Sequence, residues 1–352
     1  MALWAWLGPV IALLAVMFVY AAFQMWYKMS TGVCTSKRRL DGCTVLVTGA
    51  NTGIGLETAK EMARRGARVL LACRSPQRGQ AALEEVRRVA TKDATVALLA
   101  LDLESLESVR ACAAHVLATE PRLDVLINNA GAAFLSNAKT ADGLHTGLQV
   151  NHFGPFLFTL LLVDLLKKSA PSRIIFVSSV AHEYAKLKPE QLEYDVAKKI
   201  GDTQIYAMTK LANVLISNEF ARRLSGTGVT VNSLHPGAVK TEVYRNLPVA
   251  MATVVDFGAG LFMKTPTDGA QTTIHLAVSE EVEGVTGSYF SDCKEKRMAK
   301  AAYDVNLARA IWEKSEQLMG LQANKYPSVG EEIKSPPQPL QEDIPEGVSV
   351  DP

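Results

Sequence analysis

Apolar runs too short for helices alternate with stretches of helical spacing from residue 44 to residue 235, and this alternation constrains the fold more than any single motif. Strand-like runs fall at 44–47, 68–72, 95–101, 124–128, 173–178 and 229–234, with helical spacing near 54–65, 76–90, 105–118, 143–168 and 205–224. A helix between two strands carries the chain back across the sheet, so the strands pair in parallel. The expected fold class is α/β, a single doubly wound parallel sheet with helices on both faces. In such sheets ligands bind beyond the carboxyl ends of the strands. Polar or glycine clusters stand at four of those ends: Asp102, Asn128-Asn129-Ala130-Gly131, Ser178-Ser179 and His235-Pro236-Gly237.

The first strand runs directly into Gly49-Ala50-Asn51-Thr52-Gly53-Ile54-Gly55 and then into a helix with Leu56, Ala59, Met62 and Ala63 on one side. Glycines at 49, 53 and 55 permit a tight turn, close approach of backbone to a phosphate, and close packing of helix on sheet. The helix N-terminus adds free N–H donors and a partial positive charge. Strand, turn and helix in this order can cradle a dinucleotide pyrophosphate, although a glycine triplet alone is weak evidence. The second strand ends at Cys73-Arg74, where such a fold places the group that reads the adenosine ribose. An acid there would accept from the 2′-hydroxyl, whereas an arginine pairs with a 2′-phosphate. Arg74 thus favours NADP(H) over NAD(H), its alternative being a solvated surface arginine.

Tyr206 and Lys210 lie four apart in a helical stretch and share a face. A tyrosine ordinarily keeps its proton until about pH 10. A cation within about 4 Å, at an effective dielectric of about 20, favours the phenolate by roughly 4 kcal/mol before desolvation is subtracted. Such a pair supplies an acid and base usable near neutral pH, though Y-x-x-x-K in isolation is common.

The 352 residues are 48% hydrophobic and carry a net charge of +1. That supports a substantial core and argues against a nucleic-acid reader, which needs a basic face. Five cysteines, at 34, 43, 73, 112 and 293, lack C-x-x-C spacing, so neither a disulfide framework nor a metal site is expected. The N-terminus differs in kind, since residues 1–27 contain no charged side chain. About 20 helical residues span the roughly 30 Å hydrocarbon core. Trp4, Trp6, Trp26 and Tyr27 flank the run, as interfacial aromatics do. Basic residues follow the run instead of preceding it, so a transmembrane anchor is expected rather than a cleaved signal. Lys28, Lys37, Arg38 and Arg39 then place the following chain in the cytosol. The absence of an N-x-S/T sequon agrees with that side.

Taken with these residues, the chain resembles the short-chain dehydrogenase/reductase family from about residue 42 to 320. The matches are T-G-x-x-x-G-I-G at 48–55, N-N-A-G at 128–131, V-N-H-F-G at 150–154, V-S-S at 177–179, Y-x-x-x-K at 206–210 and H-P-G-x-x-x-T at 235–241. The resemblance implies a Rossmann-type fold and reversible hydride transfer with NADP(H). It implies that Ser179 hydrogen-bonds the substrate, Tyr206 exchanges its proton, Lys210 tunes Tyr206 and holds the nicotinamide ribose, and Asn151 holds a water relay. For the cofactor it implies Gly49, Asn51, Thr52, Gly53, Ile54 and Gly55 at the pyrophosphate, Asp102 and Asn128 at the adenosine half, and Pro236, Gly237, Val239 and Thr241 over the nicotinamide. Leu103, Asn129 and Gly131 complete that set beside Arg74, Tyr206 and Lys210.

Finer stretches are similar to the membrane-bound retinol dehydrogenases: Ala72-Cys73-Arg74, Ser178-Ser179-Val180-Ala181-His182, Lys210-Leu211-Ala212-Asn213, and Lys264-Thr265-Pro266 followed by Gly269-Ala270-Gln271. That likeness implies a lipophilic substrate, most simply retinol and retinal, with a ketosteroid or other lipid carbonyl as the runner-up. Ala132-Ala133-Phe134 departs from the usual Val-Met pair on the expected substrate side. The apolar segment 242–263 reads equally as a helical lid over such a substrate or as a core or membrane-contacting helix. His182, His235 and Cys293 lack a partner pattern and read as packing or hydrogen-bonding residues. The expected layout is an anchor at 1–27, a basic linker at 28–41, a catalytic domain at 42–322 and a disordered tail at 323–352. The membrane expected is that of the endoplasmic reticulum, with the catalytic domain cytosolic; a homo-oligomer is left open. A non-catalytic membrane scaffold is the competing class, but it has no need of Asn151, Ser179, Tyr206 and Lys210 together.

Overall fold

The computed structural model describes residues 31–194, 196, 200–239 and 263–321, and ahead of them positions 15, 17–20 and 27. Thr241, the apolar segment up to residue 262, the tail from residue 323 and most of the expected anchor lie outside the described residues. Positions 15, 17–20 and 27 are helical, with Met17, Phe18 and Val19 exposed.

Seven parallel strands and one antiparallel edge strand form a single sheet in the order β3-β2-β1-β4-β5-β6-β7-β8. The strands are β1 (Thr44–Thr48), β2 (Arg68–Cys73), β3 (Thr95–Ala100), β4 (Val125–Asn128), β5 (Ser172–Val177), β6 (Val229–His235), β7 (Tyr289–Ser291) and β8 (Lys294–Lys296). The main helices are α1 (Gly53–Arg64), α2 (Pro76–Val89), α3 (Leu106–Thr119), α4 (Gly154–Lys168), α5 (Asp202–Arg223), α6 (Pro266–Val278) and α7 (Val305–Leu318). The first six strands and first five helices fall where the alternation places them.

The two-residue period of a strand sends alternate side chains to opposite faces, and here it separates two cores. Leu46, Leu70, Leu126, Ile174 and Phe176 face α3, α4, α5 and α7. Val45, Val47, Leu71, Ile127, Ile175 and Val177 face α1, α2 and α6. With both sheet faces covered, the strands read as continuous apolar runs instead of alternating ones. Each fully buried Leu, Ile or Phe contributes roughly 1.5–3 kcal/mol. On the first face Phe156, Phe220 and Trp312 interlock, with ring centroids 4.6–5.8 Å apart.

Among the described residues one helical stretch, Thr146–Lys168, is long and apolar enough to cross a membrane, but 83% of its apolar window is buried inside the protein. It is a core element. Every residue of α5 from Ala207 to Ala221 is buried, so this helix has protein on all sides over four turns. That is how Lys210 comes to lie inside the fold.

From β1, strands β2 and β3 continue to one side and β4 onward to the other, because the chain crosses back over β1 between β3 and β4. The loops after β1 and β4 therefore diverge and leave a crevice at their carboxyl ends.

Candidate active site

The turn after β1 takes the shape that its glycines permit. Gly49 and Gly53 have φ of 65° and 57°, in the left-handed region that side chains with a Cβ rarely enter. At Gly55 a Cβ would stand 2.4 Å from the Gly49 carbonyl oxygen and 2.5 Å from Asn129 Nδ2, so the turn can close only around a hydrogen. The loop after β4 is stapled to this turn. Thr48 Oγ1 accepts from the backbone N–H groups of Asn129 and Ala130, each at 3.0 Å, and Asn129 Nδ2 donates to the Thr48 carbonyl at 2.8 Å. Thr52 precedes α1 in extended backbone without capping it, and the first turn carries no acid. The N–H groups and the positive end of the helix thus face the cleft, which suits a pyrophosphate.

A cleft of about 340 Å³ runs along the carboxyl ends of β1 to β6. Its walls include Gly49, Asn51, Thr52, Gly53, Ile54 and Gly55 after β1, Arg74 after β2, and Asp102 and Leu103 after β3. Asn129 and Gly131 follow from β4, Ser179 from β5, Tyr206 and Lys210 from α5, and Pro236, Gly237 and Val239 from β6. Among the described residues, two of the expected set are not on this wall. Asn128 lies behind it, 3% exposed, with Nδ2 donating to Thr159 Oγ1 at 2.8 Å. Its side chain supports the β4 end from inside the core, on the side where α4 packs. Asn151 lines a small pocket that adjoins the cleft. Arg74 is half exposed and pairs with Glu104 at 3.4 Å. Asp102 caps the turn after β3, its Oδ1 accepting from the Glu104 N–H at 3.0 Å.

Tyr206 and Lys210 share a face of α5, with Lys210 Nζ 5.4 Å from the Tyr206 ring centroid. Nζ donates to the Val177 carbonyl at 3.0 Å, and burial pushes the ammonium down to about 8. Ser178 Oγ donates to the Lys210 carbonyl at 2.8 Å, fastening α5 to the end of β5. Gly131 completes the close approach: a Cβ there would lie 3.2 Å from Lys210 Nζ and 3.3 Å from Asn151 Oδ1. Asn151 clasps the Ala132 backbone with both ends of its amide, Oδ1 accepting at 2.9 Å and Nδ2 donating at 2.8 Å. It sits in a π-helical turn, Gln149–Phe153, a departure from α geometry that concentrates at functional sites.

Ser179 Oγ accepts from the Ala181 N–H at 3.2 Å, which leaves its own proton free to donate. Behind it stands His182, a brace that sequence reasoning placed only as a hydrogen-bonding residue. The His182 ring accepts at Nε2 from the Ala299 N–H at 3.1 Å, so Nδ1 carries the proton and donates to the Ser179 carbonyl at 2.7 Å. Burial lowers its basicity and keeps it neutral. Ala299 is 117 residues from His182, so no local spacing signals that contact.

The small pocket beside Tyr206 is largely apolar. Ala132, Ala133, Phe134, Leu135 and Ile205 line it, with His145, Asn151 and Asp202 as its polar members besides Tyr206. Phe134 holds φ at 54°, a conformation a bulky residue adopts only where its surroundings impose it. Beyond Ser179 the cleft wall carries the exposed side chain of Val180, and Tyr184, at the end of the same short helical turn, is exposed as well.

The family model for short chain dehydrogenase matches residues 43–251. Human retinol dehydrogenase 11 is 44% identical over 316 residues, 89% of this chain and 97% of that protein. Human retinol dehydrogenase 12 is 45% identical over 82% of this chain and 90% of its own length. Bovine dehydrogenase/reductase SDR family member 13 is 45% identical, over 82% of this chain and 76% of its own. Among solved structures, an uncharacterised protein from Mycobacterium paratuberculosis superposes with a TM-score of 0.66 at 31% identity, covering 84% of this chain and all of that one. A protein described as an NAD(P) dependent gluconate 5-dehydrogenase from Beutenbergia cavernae, with NADP bound at low occupancy, gives 0.58 at 25% identity over 72% of this chain and 96% of that one. With the crevice, the Tyr206–Lys210 pair and the family match in agreement, the chain belongs to the short-chain dehydrogenase/reductase family of oxidoreductases, within the subgroup of the retinol dehydrogenases.

Proposed function

We propose that this protein is an NADP(H)-dependent oxidoreductase that interconverts a lipophilic alcohol and its aldehyde or ketone, with retinol and retinal as the substrate pair. The observation that carries this reading is that Tyr206, Lys210 and Ser179 line a glycine-walled cleft, with Asn151 in the largely apolar pocket that adjoins it. Bound in the cleft, NADPH supplies the hydride and NADP+ accepts it. The chain's own residues handle the proton and the oxygen. Ser179 donates its free hydroxyl proton to the substrate oxygen and stabilises negative charge as it develops there. Tyr206 gives its proton to that oxygen in reduction and takes it back in oxidation. Lys210, held by the Val177 carbonyl, favours the phenolate form by its charge. Asn151 fixes the loop after β4, and with it the position of Gly131 against Lys210.

Arg74 supports the choice of NADP(H). It stands on the cleft wall beyond β2 and is half exposed, within reach of a phosphate entering from solvent. The structural relative with bound NADP points the same way. Ala132, Ala133, Phe134 and the exposed Val180 and Tyr184 favour an apolar substrate over a sugar or a small acid. The proposal extends to the layout of the chain: anchor at 1–27, linker at 28–41, catalytic domain at 42–322 and tail at 323–352, in the endoplasmic reticulum membrane with the catalytic domain in the cytosol.

Membranes carrying the full-length protein test the reading, with NADPH consumption followed on addition of all-trans-retinal. We expect turnover that falls at least about 100-fold in Tyr206→Phe. Arg74→Ala weakens NADPH roughly tenfold and leaves NADH unchanged, the loss of one charged hydrogen bond to phosphate. Turnover of ketosteroids without retinal would move the assignment to the runner-up substrate class. Retinal reduction that survives Tyr206→Phe would sink the mechanism.

A further inference from the structure

Two parts of the fold that the mechanism does not use meet at one carboxylate. Asp292 sits at the tip of the β7–β8 hairpin with φ at 54°, and its Oδ1 accepts from two directions. One donor is the Lys264 ammonium. The other is the backbone N–H of Gly32, 3.2 Å away, in the segment that leads from the N-terminal apolar run into the catalytic body.

Lys264 is 6% exposed, and its stem lies over Gly237, where a Cβ would stand 2.7 Å from Lys264 Cδ and 2.8 Å from Cε. Its backbone N–H donates to the Ala238 carbonyl at 2.7 Å, and it pairs with Val239 in a short parallel bridge. Gly237, Ala238 and Val239 are wall residues of the cleft. Lys264 therefore grips that wall by main chain and by stem. An ammonium buried this deeply is strongly disfavoured without a partner, so the grip depends on Asp292.

Asp292 is in turn held by the Gly32 segment. The contact is tight: a Cβ on Gly32 would come within 1.9 Å of the Asp292 carbonyl oxygen. The same segment is sewn to the body further along. Cys34 N–H donates to Gln271 Oε1 at 3.0 Å, and the Arg65 guanidinium donates to the carbonyls of Ser36 and Arg38 at 3.0 and 2.9 Å.

We propose that Lys264 is a positioning residue for the cofactor-binding loop 236–239, and that Asp292 links it to the Gly32 segment, so that docking of this segment sets the fraction of molecules able to bind the dinucleotide. The inference rests on the dinucleotide reading of the cleft. With the segment docked, Gly32 fixes the carboxylate, the carboxylate fixes the ammonium, and the stem holds Gly237 in place. With it displaced, Asp292 Oδ1 loses one of its two donors and the loop loses its brace.

Gly32→Val tests the link because Gly32 is outside the cleft and touches no proposed cofactor contact. NADPH binding is measured by fluorescence on the full-length protein in detergent micelles, with KM, kcat and melting temperature for each variant. A loop competent in one molecule in ten raises the apparent Kd about tenfold, and that is the rise expected for Gly32→Val, Asp292→Asn and Lys264→Met. The signature is a higher KM for NADPH with kcat within about twofold of wild type, and partial recovery in Lys264→Arg. Gly32→Ala adds the same forbidden Cβ and keeps the test usable if the valine variant misfolds. Variants that melt lower yet bind NADPH like the wild type would overturn the proposal and leave these contacts a purely structural clasp. A wild-type protein that does not bind NADPH would overturn the cofactor reading itself, and this inference with it.

Discussion

Lys210 answers two opposed demands. The proposed proton chemistry needs it charged beside Tyr206, while its surroundings penalise the charge: burial takes the ammonium from 10.5 down to about 8. That drop corresponds to roughly 3 kcal/mol against the charged form in the folded state. The penalty is complete below about pH 8, where the amine is charged both folded and unfolded, and it vanishes above 10.5, where the amine is neutral in both. Wild-type stability therefore rises with pH through that window on account of this group. Lys210→Met removes the penalty and forfeits the hydrogen bond to Val177, worth about 1 kcal/mol. We expect the variant to melt several degrees above wild type at pH 7. Its melting temperature should also lose the rise that this group gives above pH 8, while turnover falls at least about 100-fold. A melting temperature at or below wild type at pH 7 would show that the polar groups around Nζ already compensate its charge. Tyr206 and Lys210 were legible as a pair because four-residue spacing puts them on one helix face. The burial of Lys210 was not legible, since it comes from the sheet and helices that surround α5.

The glycine turn and the loop after β4 behave as one element made from two pieces of chain. Thr48 and Asn129 tie them together, and Gly55 is where they touch most closely. Gly55→Val places side-chain carbons where the Gly49 carbonyl and Asn129 Nδ2 now stand, so the turn must open or the staple must break. Overpacking of this kind costs about 1–3 kcal/mol of stability. The larger effect falls on binding, because the opened turn no longer aims its N–H groups. Titration of the folded variant with NADPH should show affinity reduced at least about 100-fold, the loss of two or more charge-assisted hydrogen bonds. Affinity within threefold of wild type would place the pyrophosphate elsewhere. This element was readable because a strand, three glycines and an amphipathic helix follow one another without a gap. β7 and β8 were not readable. They are three residues each, and Lys294-Glu295-Lys296 is exposed and wholly charged, an edge built to discourage further pairing. At Asn128 the motif fixes the place at the strand end, while the direction of the side chain, into the core against Thr159, was not readable from it.

At the scale of the whole molecule, the first described stretch after the apolar run is part of the catalytic body. Residues 32–38 are bonded to the β7–β8 hairpin, to α6, to the end of α1 and to Glu283. A membrane span at 1–27 followed by only a few residues would therefore hold the body against the bilayer at a fixed face. A substrate dissolved in lipid would then enter by partition, and the cofactor from water. On the proposed layout the basic residues Lys28, Lys37, Arg38 and Arg39 would set the side, because such residues are retained on the cytosolic face next to a span. The expected outcome in sealed microsomes is that added protease digests the catalytic body without detergent, and that alkaline washing leaves intact protein in the membrane pellet. A chain beginning at residue 31 should be released to the supernatant and still bind NADPH, because the bonds that hold the body together lie beyond that point. Its turnover of retinal supplied in vesicles should fall more than its turnover of a water-soluble aldehyde, since only the first depends on residence at the bilayer. A catalytic body protected from protease until detergent is added would reverse the topology and put the NADP(H) site in the lumen. Equal losses on both aldehydes would detach the anchor from substrate delivery and leave it a tether alone.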